Sequence, residues 1–391
     1  MKRKRNLKLI VFICMFCFFG IMIFSFNSVL AAEKEGNPPI AGMKPGEEDK
    51  YFNWQFNSPF PKHAIPEFFS SHEWWPEQLQ KRTGGRMNIE VVYGGVLTQA
   101  GQCLELMGAN MFESGMESPS FYPNLLFSAS GTIPGLSSPP TDVAKYAKIK
   151  SYIWLHPRTV QEVEKMYNCT PILGNSASPF ILVSKKNIES TTDLKGLKVR
   201  GSGVYATFFG QFGAVPINFP TPEAYEWLQR GMIDVVPFSI AEIPARKLYE
   251  VADYAINMGW IAGGGGLFAN KDLWDSLPQY IKDIHYQLVT EYPAQYEKDF
   301  LPGYEKAREF VWNESGIKII KPSDELQKAW KDAEKGIVDL WVAKAEEKGI
   351  KGAREFADDV LAFVAAVNAN PNLKWSPDIY DHDRHPEIYK K

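Results

Sequence analysis

The sequence predicts an α/β protein built as two lobes, and three observations predict it. Between Trp54 and Gly108 the apolar pattern passes from the two-residue period of a strand to the helical period, twice in succession. The same alternation returns between Leu197 and Val236. The two blocks are separated by residues 130–178, where Pro134, Pro139 and Pro140 precede a helical stretch.

Each element has a local reason. Trp54-Gln55-Phe56-Asn57 alternates as a short strand, and Ile65, Phe68, Phe69, Trp75 and Leu79 recur at helical spacing until Thr83-Gly84-Gly85. From Met87 to Tyr93 the odd positions are apolar, up to Gly94-Gly95; helical spacing resumes at Gln102 and breaks at Gly108. The second block reads as strand Leu197–Arg200, helix Val204–Phe212, strand Val215–Phe219, helix Pro222–Arg230 and strand Met232–Val236. Thr221 can cap a helix that opens on Pro222, and Gly231 can close it. Next come one apolar strand near Trp260–Ala269 and helical segments through Glu297–Trp312. A long helix starts at Ser323 with the stripe Leu326, Trp330, Ala333, Ile337, Leu340 and Trp341, and a last helix covers Ala353–Ala369.

Composition excludes several classes. With 391 residues, 45% hydrophobic and 23% charged, the chain is neither disordered, collagen-like nor a disulfide scaffold. Its long apolar run, Leu9–Phe24, sits behind Lys2, Arg3, Lys4, Arg5 and Lys8 and ahead of Val29-Leu30-Ala31-Ala32, the order of a secretory signal cleaved after Ala31. An uncleaved anchor is the rival, since the run approaches the ~18 residues that can span a bilayer. Cleavage removes five positive charges from a chain of net charge −3, so the mature protein is acidic at −8 and has no dense basic run for nucleic acid. Cys103 and Cys169 survive processing, and either a disulfide or two buried thiols fits them.

Motifs for other chemistries fail on context. Gly201-Ser202-Gly203-Val204-Tyr205-Ala206 fits a dinucleotide turn, but the stretch where an acidic ribose ligand belongs reads Ile217-Asn218-Phe219-Pro220-Thr221. Gly263–Gly266 lacks the Lys-Ser/Thr ending of a phosphate loop. His382 and His385 stand in a terminal tail with no periodic neighbours, no HExxH or GxSxG occurs, and the CxxC at Cys14-Met15-Phe16-Cys17 lies inside the leader's apolar run. Arg200 is the better candidate. It ends a strand of the second block, where open α/β sheets bind ligands, and a guanidinium there can hold a carboxylate by two parallel hydrogen bonds. A surface ion pair with a neighbouring acid is the alternative.

Three segments together carry a resemblance: Thr192-Asp193-Leu194-Lys195-Gly196-Leu197-Lys198-Val199-Arg200, Phe212-Gly213-Ala214-Val215-Pro216, and Tyr225-Glu226-Trp227-Leu228-Gln229-Arg230-Gly231-Met232-Ile233-Asp234. With Thr83-Gly84-Gly85-Arg86 and Trp274-Asp275-Ser276-Leu277-Pro278, they make residues 52–345 resemble the extracytoplasmic solute-binding subunit of TRAP transporters, the DctP type. The resemblance implies a two-lobed periplasmic-binding-protein-like fold of the class II type with a hinge-spanning long helix, for which the helix from Ser323 is the candidate. It divides the chain into leader 1–31, flexible segment 32–50, lobe I (51–177 and 264–305), lobe II with the hinge helix (178–263 and 306–345) and a C-terminal helix and tail (346–391). It also implies a periplasmic protein without cofactor or catalysis, which takes a small organic acid and hands it to the small and large membrane subunits. A sensor for a membrane receptor, or less readily a secreted enzyme, are the other readings.

Residue by residue, the resemblance places the carboxylate-holding arginine at Arg200, a ligand-contacting Asn at Asn57, and looser cleft positions at Gln99 and Glu117-Ser118. The departures concern Phe238, where many relatives have a polar Asn, and Phe180, where some have a second arginine. Loss of two polar partners points to a monocarboxylate or a ligand with an apolar or aromatic body, because a second buried charge without a partner costs several kcal/mol. These two aromatics fit the core equally well, and Trp260 fits either wall or core. Relatives with a metal beside the substrate have Glu where this chain has Pro237, which argues against a metal here.

Overall fold

The structure, a computed structural model, describes residues 40–62, 68–118, 121–122, 124–125, 127, 142–175, 179–201, 203–219, 223–261 and 264–374. The leader and its cleavage site, the Thr221–Pro222 cap and the tail histidines lie outside the described residues. Residues 40–51 belong to a unit of their own and form turns, in which Met43 N donates to Ile40 O and Glu47 N to Lys44 O.

From Phe52 onward the chain forms two sheets. The first joins β1 (Phe52–Asn57), β2 (Met87–Val92), β3 (Ser114–Glu117), β4 (Cys169–Gly174) and β10 (Gly266–Asn270) in the order β2-β1-β3-β10-β4. β1 runs parallel to β2 and β3, and β10 runs antiparallel to β3 and β4. The second joins β5 (Pro179–Ser184), β6 (Lys198–Arg200), β7 (Val215–Ile217), β8 (Val235–Ser239), β9 (Tyr254–Ile261) and β11 (Lys318–Ile320) in the order β11-β9-β5-β8-β6-β7. β6 is parallel to both β7 and β8, while β5 is antiparallel to β8 and β9. The apolar run expected as one strand at Trp260–Ala269 is two strands in different sheets. The chain leaves the second sheet after Ile261 and enters the first at Gly266, with Gly264 and Gly265 just ahead of that strand.

Helices cover the sheets. In the first lobe these are α1 (Trp75–Arg82, entered through a π-helical turn at Ser70–Trp74), α2 (Cys103–Gly108), α3 (Val143–Leu155), α4 (Pro157–Tyr167) and α8 (Lys271–Ser276). The second lobe has α5 (Gly203–Gly210), α6 (Ala224–Gln229) and α7 (Glu242–Ala245). Gly231 closes α6 at φ +66°, a conformation that costs a side chain dearly and glycine little. Alternation along β5 divides the second core: Ile181 and Val183 pack with Val236, Phe238, Leu228 and Ile243, whereas Leu182 packs on the other face with Val199, Val235, Phe208 and Trp330.

The long C-terminal helices add one element to the expectation. α10 (Asp324–Glu347) starts on Ser323, whose hydroxyl accepts from Leu326 N at 3.1 Å, and it packs in the second lobe against α5 and against α11 (Ala353–Ala369). α10 also reaches the first lobe, where Trp341 packs on Phe127 with ring centroids 6.2 Å apart, and a second helix, α9 (Gln279–Asn313), with Pro293 and Pro302 inside it, touches both lobes as well. Its first turns pack on α1 and α3, and Ala307 and Val311 join the core under the second sheet. Where the sequence pattern gives helical segments through Glu297–Trp312, the structure has one helix that begins at Gln279 and runs through both prolines. Among the described residues no helix is long and apolar enough to cross a membrane.

Candidate functional site

The residues singled out from the sequence fall into two groups, one on each sheet. In the first lobe β1 ends on Asn57 and β3 ends on Glu117, and the loop after β2 passes both. Asn57 is fully buried and its carboxamide straps that loop: Nδ2 donates to Thr98 O and Oδ1 accepts from Thr98 N, each at 3.2 Å. Gln99 is exposed and its Nε2 donates to Gly95 O at 2.9 Å. Glu117, 2% exposed, accepts from Gly101 N and Ser118 N at 2.8 Å and from the Tyr122 hydroxyl at 3.3 Å. Burial pushes its carboxyl up to about 7, and these donors oppose the shift. All three side chains therefore hold the shape of the loop at the sheet's carboxyl ends.

In the second lobe Arg200 ends β6, half-buried. Nε donates to Phe219 O at 3.4 Å, and the guanidinium carbon lies 5.5 Å from the Phe219 ring centroid and 5.4 Å from that of Phe238. Phe219 is stacked on Trp227 at 4.6 Å, and Phe238 on β8 is 1% exposed. The two rings thus form a rigid seat for a planar cation. Burial lowers the Arg200 pKa to about 10, Glu242 pulls it back up and Arg246 pushes it down further, so the group is charged at neutral pH.

Phe180, half-buried on β5, packs against Tyr146 of α3, which brings a helix of the first lobe against a strand of the second. It pairs in register with Ser239 on one side and with Trp260 on the other; the Trp260 side chain lies outside what is described.

Sequence reasoning missed three partners. Arg246, at the end of α7, lies 5.6 Å from the same Phe238 ring and binds Glu242. The Glu-x-x-x-Arg spacing directly after β8 is the signal that could have found this pair. Lys150 is 1% exposed on α3, with Nζ 5.1 Å over the ring of Tyr146 one turn earlier, and burial lowers its pKa to about 7. A lysine inside the apolar pattern Val143, Tyr146, Ala147, Ile149, Ile153 was the available sign.

Comparison with known proteins agrees with this architecture. The chain is 26% identical over 253 residues to a monocarboxylate 2-oxoacid-binding periplasmic protein of Nostoc sp., a match that spans 61% of this chain and 65% of that protein. Its fold is similar to that of a TRAP periplasmic solute-binding protein from Desulfovibrio salexigens solved with bound orotic acid, at TM-score 0.69 and 19% identity, covering 80% of this chain and 99% of that one. It is likewise similar to a TRAP solute-binding protein from Rhodoferax ferrireducens in complex with copurified benzoate, at TM-score 0.67 and 18% identity, covering 81% and 98%. A family model for the bacterial extracellular solute-binding proteins, family 7, matches residues 68–345. With two sheets joined by paired crossings and an arginine at the carboxyl end of a parallel strand, the chain belongs to that family, DctP.

Proposed function

We propose that the protein captures a small organic acid between its lobes, closes on it and delivers it to the small and large membrane subunits of a TRAP transporter. Binding and release suffice; no bond is made or broken. The observation that carries the reading is Arg200, charged and seated between Phe219 and Phe238 where a parallel strand ends. Its fork can hold a carboxylate in one plane, and the phenyl rings fix the fork's direction beforehand. Phe180 supplies apolar wall for the ligand's body, with Trp260 paired beside it on β9, and Asn57, Gln99 and Glu117 shape the opposite lobe. The family, the named specificity of the Nostoc relative and the acids bound in the two solved structures support a carboxylate as ligand.

In this reading the lobes are 51–177 with 264–305, and 178–263 with 306–345, followed by a C-terminal segment from 346. The site of action is the periplasm, after cleavage near Ala31. A ligand favours the closed form by as much as it binds that form better than the open one. The test is thermal unfolding of residues 32–391, freed of carried-over ligand, against aliphatic, 2-oxo, dicarboxylic and aromatic acids. An acid at 100 times its dissociation constant adds ~2.7 kcal/mol. The reading requires at least one acid to raise the midpoint, and Arg200→Ala to abolish that rise. A panel without effect, or a variant that responds as fully as wild type, removes Arg200 as anchor.

A further inference from the structure

Arg200 and Arg246 come from different elements, the end of β6 and the end of α7, yet their guanidinium carbons lie 5.4 and 5.6 Å from the centroid of one ring, Phe238. Two cations on one buried ring repel each other, and the charged group that offsets them is Glu242. That carboxylate is held firmly. Its Oε1 accepts from Arg246 Nε at 3.1 Å and Nη2 at 3.0 Å, and its Oε2 accepts from Ser239 N at 3.4 Å. The Glu242 residue is 8% exposed, so its charge is felt locally with little screening by solvent. Among the described residues, two guanidiniums and one carboxylate leave a single net positive charge in this corner. A ligand with one negative charge completes that balance, and a ligand with two leaves an excess.

We propose that Glu242, acting through Arg246, is the residue that makes this site select monoanionic over dianionic acids. The inference rests on the carboxylate-binding function proposed above and adds the charge of its ligand. Glu242 is a positioning residue, since it reaches the ligand only through the field and the orientation of the arginines.

The test measures affinities by calorimetry for two matched pairs, 2-oxobutyrate with 2-oxoglutarate and benzoate with terephthalate. Wild type is expected to prefer the monoanion of whichever pair it binds. Glu242→Gln, which keeps the shape and a hydrogen-bonding oxygen, is expected to shift the ratio toward the dianion by about tenfold or more, the scale of one unit charge at partly screened distance. Arg246→Gln is expected to shift it the other way, and the double variant to return near the wild-type ratio. A purely structural Glu242 would weaken both members of a pair by one factor, and an unchanged ratio in Glu242→Gln overturns the inference. So does a wild type that prefers the dianion. The pairs are extended to whichever acid of the panel above binds; if wild type binds none of that panel, the carboxylate reading itself falls and takes this inference with it, whereas a monoanion bound with an unmoved ratio sinks the inference alone.

Discussion

The backbone N–H of Asn175 donates to Gly265 O at 2.9 Å, and this bond ties together the two places where the chain crosses between lobes. The Asn175 side chain adds a third party, because its Oδ1 accepts from the Tyr292 hydroxyl of α9 at 3.2 Å. Space here is already used: a Cβ on Gly265 would lie 2.4 Å from Glu117 O. Gly265→Ala is therefore expected to destabilise by about 1–3 kcal/mol, in the range of overpacking. Urea unfolding measures it, and an unchanged midpoint would show that the crossing yields freely.

Buried histidine makes the first lobe acid-sensitive. His285 Nδ1 accepts from Trp75 Nε1 at 3.1 Å and its Nε2 lies 2.7 Å from Ile172 O, so the ring is bound as the neutral tautomer. Burial lowers its pKa to about 4. Between pH 6.5 and about 4 the unfolded chain binds more protons than the folded one, so stability falls as pH falls through that window. His285→Gln is expected to flatten the decline. Denaturation midpoints at half-unit steps of pH decide it; an equal slope in variant and wild type counts against the assignment.

Lys150 carries a pH signature of the same sign in a more alkaline window. Burial holds its pKa at about 7 against 10.5 for an exposed lysine, so the unfolded chain binds the extra proton between those values. Stability therefore gains as pH rises from about 7 toward 10.5. Lys150→Met should remove this gain and raise the stability of the ligand-free protein at pH 7. A variant with the wild-type profile would place the pH dependence elsewhere.

Cys103 and Cys169 stand in one buried cluster as free thiols, and burial raises both pKa values. Thiolate, the reactive form, is thus suppressed. Native protein is expected to leave an aromatic disulfide reagent unreacted, and both thiols to react once urea unfolds it. Rapid modification of the native form would contradict the burial.

Legibility followed solvent exposure. β1 and β2 alternate because one of their faces is less covered than the other, and the last helix could be bounded at Ala353 and Ala369 from its pattern alone. β3 and β4 are buried at every position, which erases the alternation, and neither stood out. The strand expected at Met232–Val236 lies three residues later, at Val235–Ser239, for the same reason. At the site, Arg200 was legible because a strand end has a position in sequence. Arg246 was not, because the second guanidinium reaches Phe238 from a four-residue helix instead of from position 180, where relatives suggested it.

The two prolines inside α9 give the protein an adjustable part remote from its ligand. Each lacks an N–H, so the carbonyls of Val289 and Lys298 lose their ordinary helical donor, and the rod that joins the lobes is softened at two notches. Under the proposed closure, the stiffness of that rod sets the resting population of closed molecules, and apparent affinity scales with that population. Selection can therefore tune how tightly the protein holds its cargo by changes near Pro293 and Pro302, while Arg200 and its neighbours go on deciding which cargo it is. Strength and identity of binding become separately inherited traits.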